Sequence, residues 1–277
     1  MEELVERMKK MSSEELYLKA LEYKTSEDFC KYRIHLTMSA NCGFEKAIQE
    51  HQYEFIHSEK VEKVKNTDFS DAVRFFELTR NELFSMLELS NVYKRGKYVK
   101  QDLKKAFELN VEAYEKGNKY VANNLGFQYQ KGLGVAPNYQ KAAEFYENAA
   151  SFGCRDGINN LGFMYLSGYW VQQNYEKAFE LFQLAKEKGN YSANLHMARM
   201  YVEGFFVEQN YEIAIDLLEE AASKGNISSF SYLIHIYKRY REGRGQKKYV
   251  EEYFIKLGIS HCLIEIYGYT KDYIDTI

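Results

Sequence analysis

Apolar and polar residues follow a helical period along most of this chain, in short segments that are separated by glycine-bearing loops. The clearest segment spaces its apolar residues at i, i+3, i+4, i+7 and i+10, at Tyr175, Ala178, Phe179, Phe182 and Ala185. That spacing puts these side chains on one face of an α-helix. Leu161 and Tyr165 precede it at i and i+4, which predicts another helix on the far side of a loop.

The same arrangement recurs every 36 residues without a gap, so the chain contains an internal repeat. A tyrosine marks equivalent places in four copies, at Tyr93, Tyr129, Tyr165 and Tyr201. A small residue lies three positions earlier and lets a second helix approach closely, at Ser90, Gly126, Gly162 and Ala198. A glycine suited to the left-handed end of a helix lies three positions later, at Gly96, Gly132, Gly168 and Gly204.

A second helix follows each loop. It begins after a residue whose side-chain oxygen can cap a free backbone N–H, at Asp102, Asn138, Asn174 and Asn210. A further glycine ends it, at Gly117, Gly153, Gly189 and Gly225. One unit is therefore a helix A, a loop, a helix B and a turn. Because such a hairpin cannot bury its apolar face alone, we expect an all-α solenoid of stacked antiparallel helix pairs.

The pattern weakens toward both ends, as expected where the outermost face of a stack meets water. Residues 67 to 82 resemble a B helix, with Ala72 in the place of Ala178. Residues 13 to 39 are helical by period, and Ser12 precedes Glu15 at the spacing of a capping box. We expect an N-terminal helical cap (1–49), a degenerate repeat (50–85), repeats at 86–121, 122–157, 158–193 and 194–229, a degenerate repeat with a capping helix (230–269), and a tail (270–277).

The order L-G-x-M-Y-x-x-G-x-x-V, then N-Y-x-K-A, then A-x-x-G, at this period, resembles the Sel-1-like repeat, a relative of the tetratricopeptide repeats. The resemblance is specific over residues 86 to 229; Met197-Ala198 replaces the usual Leu-Gly, and Tyr240 replaces a loop glycine. It implies a right-handed superhelix that serves as a scaffold or adaptor for other proteins. Family members act in protein quality control, in signalling, and as bacterial or viral proteins in host cells.

Charge and cysteine content narrow the class of protein. The net charge is -3, so the chain as a whole has no electrostatic bias toward nucleic acid. Its N-terminus does not resemble a secretory signal, and no window is apolar enough for a membrane span. We expect a monomer that is cytoplasmic or lies in a host-cell cytosol. Cys30, Cys42, Cys154 and Cys262 match no common zinc pattern, so we expect reduced thiols, with a Cys30–Cys42 disulfide as the alternative.

Signals of catalysis are poor in this sequence. It contains no H-E-x-x-H, G-x-S-x-G or G-x-x-x-x-G-K-[ST] pattern. His261 and Cys262 are adjacent, and neighbours on a helix point about 100° apart, so they do not pair as base and nucleophile. We predict no catalytic activity, no metal and no cofactor. The alternative is a hydrolase that uses a thiol and a histidine from separate repeats.

Helix A predicts a binding surface. If the face with Leu161, Gly162 and Tyr165 is buried, the other residues of the helix point into a groove. Three stripes lie five before, two before and two after each tyrosine, and the first repeat contributes Glu88, Asn91 and Arg95. We predict that a partner protein binds the later members, Asn124, Phe127, Lys131, Asn160, Phe163, His196, Arg199, Glu203, Tyr232 and His235. Aromatic and arginine anchors commonly dominate such interfaces. The alternative is that Phe127 and Phe163 pack between neighbouring A helices.

The segment 238–248 departs from overall neutrality. Its basic residues outnumber the single acid Glu242. Candidates for binding phosphate, an anionic lipid or nucleic acid are Arg241, Arg244, Lys247 and Lys248. A solvated loop explains the same charges and is the interpretation that we favour.

Overall fold

The computed structural model describes residues 1–25, 29–47, 70–96, 98–226, 228–229, 231–233 and 236. Every regular element within these ranges is a helix, which confirms the predicted all-α class. Backbone proximity divides the chain into two compact units, Met1–Ala178 and Phe179–Ile277.

The first unit begins with α1 (Glu2–Met8), α2 (Ser13–Thr25), α3 (Phe29–Asn41) and α4 (Ser70–Leu78). It continues with α5 (Leu83–Arg95), α6 (Leu103–Glu115), α7 (Ala122–Lys131), α8 (Tyr139–Ser151) and α9 (Arg155–Ser167). Helix α10 (Tyr175–Glu187) crosses the boundary, and the second unit contains α11 (Ser192–Glu203) and α12 (Tyr211–Ser223). The predicted A helices are α5, α7, α9 and α11, and the B helices are α6, α8, α10 and α12. In the first unit α8 packs against α7 and also against α9, so consecutive hairpins stack.

The predicted helix ends are confirmed. The side chain of Asn138 accepts a hydrogen bond from the Lys141 backbone N–H at 2.9 Å, and Asp102, Asn174 and Asn210 cap their helices in the same way. Each A helix ends at a left-handed glycine, with φ of 68° at Gly96, 70° at Gly132, 67° at Gly168 and 72° at Gly204. These residues fix where each helix begins and ends, because both effects act within one turn.

The close approach predicted at the small position is also confirmed. A Cβ atom added to Gly126 would lie 2.7 Å from two ring carbons of Tyr146, whose side chain is fully buried. The Tyr146 hydroxyl donates a hydrogen bond to Gln130 Oε1 at 2.8 Å. In the preceding hairpin Ser90 Oγ donates to the Ala106 carbonyl at 2.8 Å. The A and B helices therefore meet at contact distance where the A helix carries a small side chain.

The repeat tyrosines differ from expectation. We expected Tyr165 on the buried face, but Tyr93, Tyr129, Tyr165 and Tyr201 are all half-buried, whereas Tyr146 on a B helix is fully buried. The phenol groups of Tyr93 and Tyr165 take a polar partner from a B-helix lysine at the edge of the core. Lys177 Nζ donates to the Tyr165 hydroxyl at 2.6 Å and lies 4.2 Å from the centre of its ring. Tyr93, Tyr129 and Tyr165 thus lie at the edge of the core, each beneath a lysine of the B helix.

The N-terminal segment folds as separate helices, α1, α2 and α3, and covers the first hairpin. The predicted capping box is present, because the Ser12 N–H donates to Glu15 Oε2 at 2.7 Å and the Glu15 N–H donates to Ser12 Oγ at 3.2 Å. Asn41 of α3 accepts from the Phe84 N–H at 2.9 Å and donates to Ser85 Oγ at 3.1 Å. Ala72 is buried in α4, as expected of a B helix.

Three cysteines test the predicted redox state. Cys30, Cys42 and Cys154 form no disulfide, so the alternative Cys30–Cys42 disulfide is wrong. Cys262 lies outside the described residues, as do most of the degenerate A helix expected before residue 67 and the final helix at 260–269. Near the C-terminal end, Leu233 and Ile236 are buried. None of the helices in the described part of the chain has both the length and the apolar character needed to cross a bilayer.

Candidate functional site

On the predicted groove side of the A helices, the exposure of the side chains increases toward the C-terminal end of the helix. Five residues before the tyrosine, the side chains are buried or half-buried, at Glu88, Asn124, Asn160 and His196. Two before it, Asn91 is buried, Phe163 is half-buried, and Phe127 and Arg199 are exposed. Two after it, the exposed side chains are Arg95, Lys131 and Glu203, and Ser167 is half-buried. The second half of each A helix is therefore its more exposed part.

In the first unit, α7 presents the most open part of this surface. Phe127 is 38% exposed, and Lys131 lies exposed one turn further along the same helix. The neighbouring α9 is tied to α7 by a hydrogen bond from Asn160 Nδ2 to Asn123 Oδ1 at 3.0 Å. Phe163 of α9 is half-buried, and its ring centre lies 6.1 Å from that of Tyr169 in the following loop.

The first hairpin does not contribute to an open groove, which corrects our expectation for Glu88 and Asn91. Arg33 of α3 forms an ion pair with Glu88, and both side chains are largely buried. Asn91 is also buried, and its Nδ2 donates to the Leu87 carbonyl within the same helix. The cause is α3, which packs against α5 on the side where later repeats face solvent.

In the second unit, His196 packs against a neighbouring ring, whereas Arg199 and Glu203 lie on the surface. The His196 ring stacks on Phe182, with centres 4.9 Å apart and planes at 22°, and its Nδ1 atom is buried. Burial, and then the nearby Arg199 charge, lower the pKa of His196 to about 4. His196 is therefore neutral at pH 7. Arg199 and Glu203 lie exposed one turn apart on α11.

Of the remaining predicted site residues, the structure describes only Tyr232. Tyr232 is half-buried. His235 and the basic residues Arg241, Arg244, Lys247 and Lys248 lie outside the described residues, as do His261 and Cys262.

Two cysteine thiols bear on the alternative of a thiol-dependent hydrolase. Burial raises the pKa of the Cys154 thiol, and it also raises the pKa of Cys42. A raised pKa keeps a thiol protonated at neutral pH, whereas a nucleophilic cysteine needs the thiolate. In the part of the chain that the structure covers, no three His, Cys, Asp or Glu side chains come together in a way that could hold a metal ion.

Sequence reasoning overlooked a group of exposed rings beside the loop that follows α9. Tyr139 and Tyr169 stack with ring centres 4.9 Å apart and planes at 12°, and both are exposed. Trp170 is 64% exposed and adopts a left-handed backbone with φ of 65°. The available signal was the pair Tyr169-Trp170, which stands where the preceding repeat has Leu133-Gly134.

The family described as Sel1 repeat matches this chain at residues 83–118, 120–153, 155–190 and 192–226. These matches coincide with the four hairpins from α5 to α12 and together cover about half of the chain. The chain belongs to the Sel1 repeat family. Repeats of this family generally serve as protein-interaction scaffolds.

Solved structures of similar fold agree with this assignment. A Sel1 repeat protein from Oxalobacter formigenes shares 26% identity, with a TM-score of 0.56 over 70% of this chain and 77% of that protein. A protective antigen present in uropathogenic Escherichia coli strains, which displays an SLR fold, shares 23% identity with a TM-score of 0.54. That match covers 89% of this chain and 53% of the antigen, so this chain spans about half of its length. No curated protein matches this chain.

Proposed function

We propose that this Sel1 repeat chain is a non-catalytic scaffold that binds a partner protein along the exposed side of its A helices. One observation carries the proposal. Phe127, a large apolar side chain, is 38% exposed on α7, one turn before the exposed Lys131. Such a pair offers an apolar anchor and a charged group on the same side of one helix, as protein-binding surfaces commonly do.

The fold buries only part of the Phe127 side chain. The packed face of α7 is already supplied by Ala122, Leu125 and Gly126, and all three are buried. An apolar side chain stabilises the fold in proportion to the surface that it buries, so the exposed 38% of Phe127 adds nothing to stability. Part of the Phe127 ring surface thus remains available for burial against a partner.

The other predicted groove residues extend the proposed surface within each unit. Asn124, Asn160 and Phe163 lie half-buried on α7 and α9, and Arg199 and Glu203 lie exposed on α11. His196 of α11 belongs to the packing instead. Arg199 and Glu203 provide charges of opposite sign on exposed side chains, which favours recognition of a polar segment rather than a uniformly charged one. Tyr232 and His235 remain predicted members of the groove.

A binding role without chemistry also fits the described thiols better than the alternative, a hydrolase that uses a cysteine and a histidine. That reaction needs a thiolate beside a basic imidazole. Burial works against ionisation of Cys154, and His196 has lost most of its basicity through burial. Both effects favour packing roles for these side chains.

The test uses two matched double variants of the intact chain. Phe127→Ser/Lys131→Ser removes the proposed anchor and charge. Phe152→Ser/Lys119→Ser removes a second exposed Phe and Lys, in which Lys119 Nζ lies 4.5 Å from the centre of the Phe152 ring and Phe152 is 47% exposed. The two variants change composition identically, and neither alters a fully buried side chain.

Binding is measured in two ways. In the first, a photo-crosslinking amino acid is placed at position 127 or 152 of the intact chain, and the crosslinked proteins are identified. In the second, the amounts of these proteins retained by affinity capture are quantified for the unmodified chain and both variants. We expect crosslinks from position 127, loss of the same proteins in the Phe127→Ser/Lys131→Ser variant, and retention in the Phe152→Ser/Lys119→Ser variant. Equal capture by both variants, with melting temperatures unchanged, would remove the A-helix surface as the site of binding.

A further inference from the structure

The segment 157–175, which covers most of α9 and the loop after it, contains no Asp, Glu, Lys, Arg or His. This is a long neutral stretch for a chain in which 28% of residues are charged. The same loop displays exposed aromatic rings. We call Tyr139, Tyr169 and Trp170 the aromatic edge; it is formed by the loop after α9 and by the first residue of α8.

Folding alone does not account for Trp170. The preceding repeat has a left-handed backbone at the same position, with a φ of 79° at Gly134 against 65° at Trp170. Glycine adopts that conformation without steric cost, whereas a residue with a Cβ atom does not. Trp170 is also 64% exposed, so it recovers little of that cost by burial. A glycine would serve the loop better than tryptophan does.

The second unit repeats this feature. Phe206, which is equivalent to Trp170, also has a left-handed backbone with a φ of 65° and is exposed. Its ring centre lies 5.8 Å from that of Phe179, so it is partly supported by the B helix of its unit. Two successive repeats thus hold a large ring outward on a backbone that favours glycine.

We propose that the aromatic edge binds an uncharged, proline-rich segment of a partner protein in the extended polyproline II conformation. The aromatic edge contains neither Phe127 nor Lys131, and the inference does not depend on the A-helix surface. The stacked Tyr139–Tyr169 pair and the adjoining Trp170 offer flat rings, against which pyrrolidine rings pack.

The polar groups of the edge fit the same ligand. A polyproline II segment has no internal hydrogen bonds, so its carbonyl groups are open to donors. The edge offers neutral donors in the Trp170 indole N–H, the tyrosine hydroxyls and the exposed Gln172 amide. Gln173 is already committed to the loop, because its Nε2 donates to the Leu166 carbonyl at 2.8 Å.

Charge and shape disfavour other partners. Nucleic acid binds through its phosphates and requires cations, which the segment 157–175 lacks. An amphipathic helix satisfies its own backbone and needs an apolar groove, whereas these rings protrude from a loop. An uncharged, extended chain is complementary to a neutral edge with flat rings and spare donors.

The experiment uses the single tryptophan of the chain as its reporter, so the indole emission reports on Trp170 alone. The full chain is titrated with a capped polyproline peptide of about ten residues, and with a Gly/Ser peptide of equal length as the control. We expect polyproline to shift the emission to shorter wavelength and to shield the indole from a soluble quencher. The Gly/Ser peptide should do neither.

Variants define the site. Tyr139→Ala and Tyr169→Ala should each weaken polyproline binding roughly tenfold. Phe152→Ala and Phe127→Ser/Lys131→Ser should leave it unchanged, which separates this site from the A-helix surface. Trp170→Gly should abolish binding, measured by calorimetry, while the melting temperature stays the same or rises.

Three results would overturn the proposal. The first is unchanged emission up to about 1 mM polyproline. The second is a spectral shift with a neutral oligosaccharide such as maltohexaose but none with polyproline, which would make the edge a carbohydrate site. The third is an emission shift on dilution of the protein alone, which would show that a second copy of the chain covers the edge.

Discussion

The contact between Gly126 and Tyr146 gives the sharpest test of how a hairpin is packed. Gly126→Ala places a methyl group 2.7 Å from two carbons of a fully buried ring, and 3.2 Å from the Ala142 carbonyl oxygen. Tyr146→Ala removes that ring and its hydrogen bond to Gln130. The two changes should therefore interact, and a double-mutant cycle measures the interaction.

The magnitudes follow from two opposing effects on the free energy of unfolding. Overpacking at Gly126 costs about 2 kcal/mol, and replacing glycine by alanine inside α7 returns about 1 kcal/mol of helix propensity. The net loss for Gly126→Ala is about 1 kcal/mol. In the Tyr146→Ala background, which itself costs about 3–5 kcal/mol, the ring clash is gone. The same substitution should then stabilise by about 1 kcal/mol, so the coupling is about 2 kcal/mol.

Urea denaturation followed by far-ultraviolet circular dichroism measures each corner of the cycle, with equal slopes as the check that the unfolding reaction is the same. Gly126→Ala combined with Tyr139→Ala is the control, because Tyr139 is exposed and its replacement should add to that of Gly126 within about 0.5 kcal/mol. If the losses in free energy of unfolding for Gly126→Ala and Tyr146→Ala are additive, the Tyr146 ring is not the reason that position 126 needs a glycine.

Two further predictions concern stability. Asn138→Ala should cost about 1 kcal/mol, because the Lys141 N–H loses its cap, and the exposed neighbour substitution Gln140→Ala should be near neutral in the same denaturation assay. The pKa of His196 is lowered from 6.5 to about 4, so below pH 6.5 the unfolded chain binds a proton that the folded chain does not. Stability from this group should be fully present above pH 6.5 and should fall by at most about 3 kcal/mol as the pH drops to about 4. His196→Gln should lack that part of the pH dependence, and an unchanged profile would contradict the assignment.

The sequence by itself determined the hairpins. Asn138 caps α8 and Gly132 ends α7 where the 36-residue pattern places them, because both residues act on backbone groups within one turn. The small residue at Gly126 also predicted close helix contact, because the absence of a side chain lets the B helix approach the A helix. The resemblance to Sel-1-like repeats rested on these local features, and the family assignment confirmed it.

Tertiary structure alone decided which outward positions are open. Asn91 and Phe127 occupy the same place in successive repeats, yet Asn91 is buried beside the N-terminal helices and Phe127 is exposed. The 36-residue period does not predict this difference. Exposure depends on whether a segment distant in sequence packs against the helix. The sequence did not predict a role for Trp170 either, because its position indicated only a loop residue. Its left-handed backbone and exposed ring are visible only in the structure. Local rules fix each hairpin, whereas the surface left for a partner depends on contacts between residues far apart in the chain.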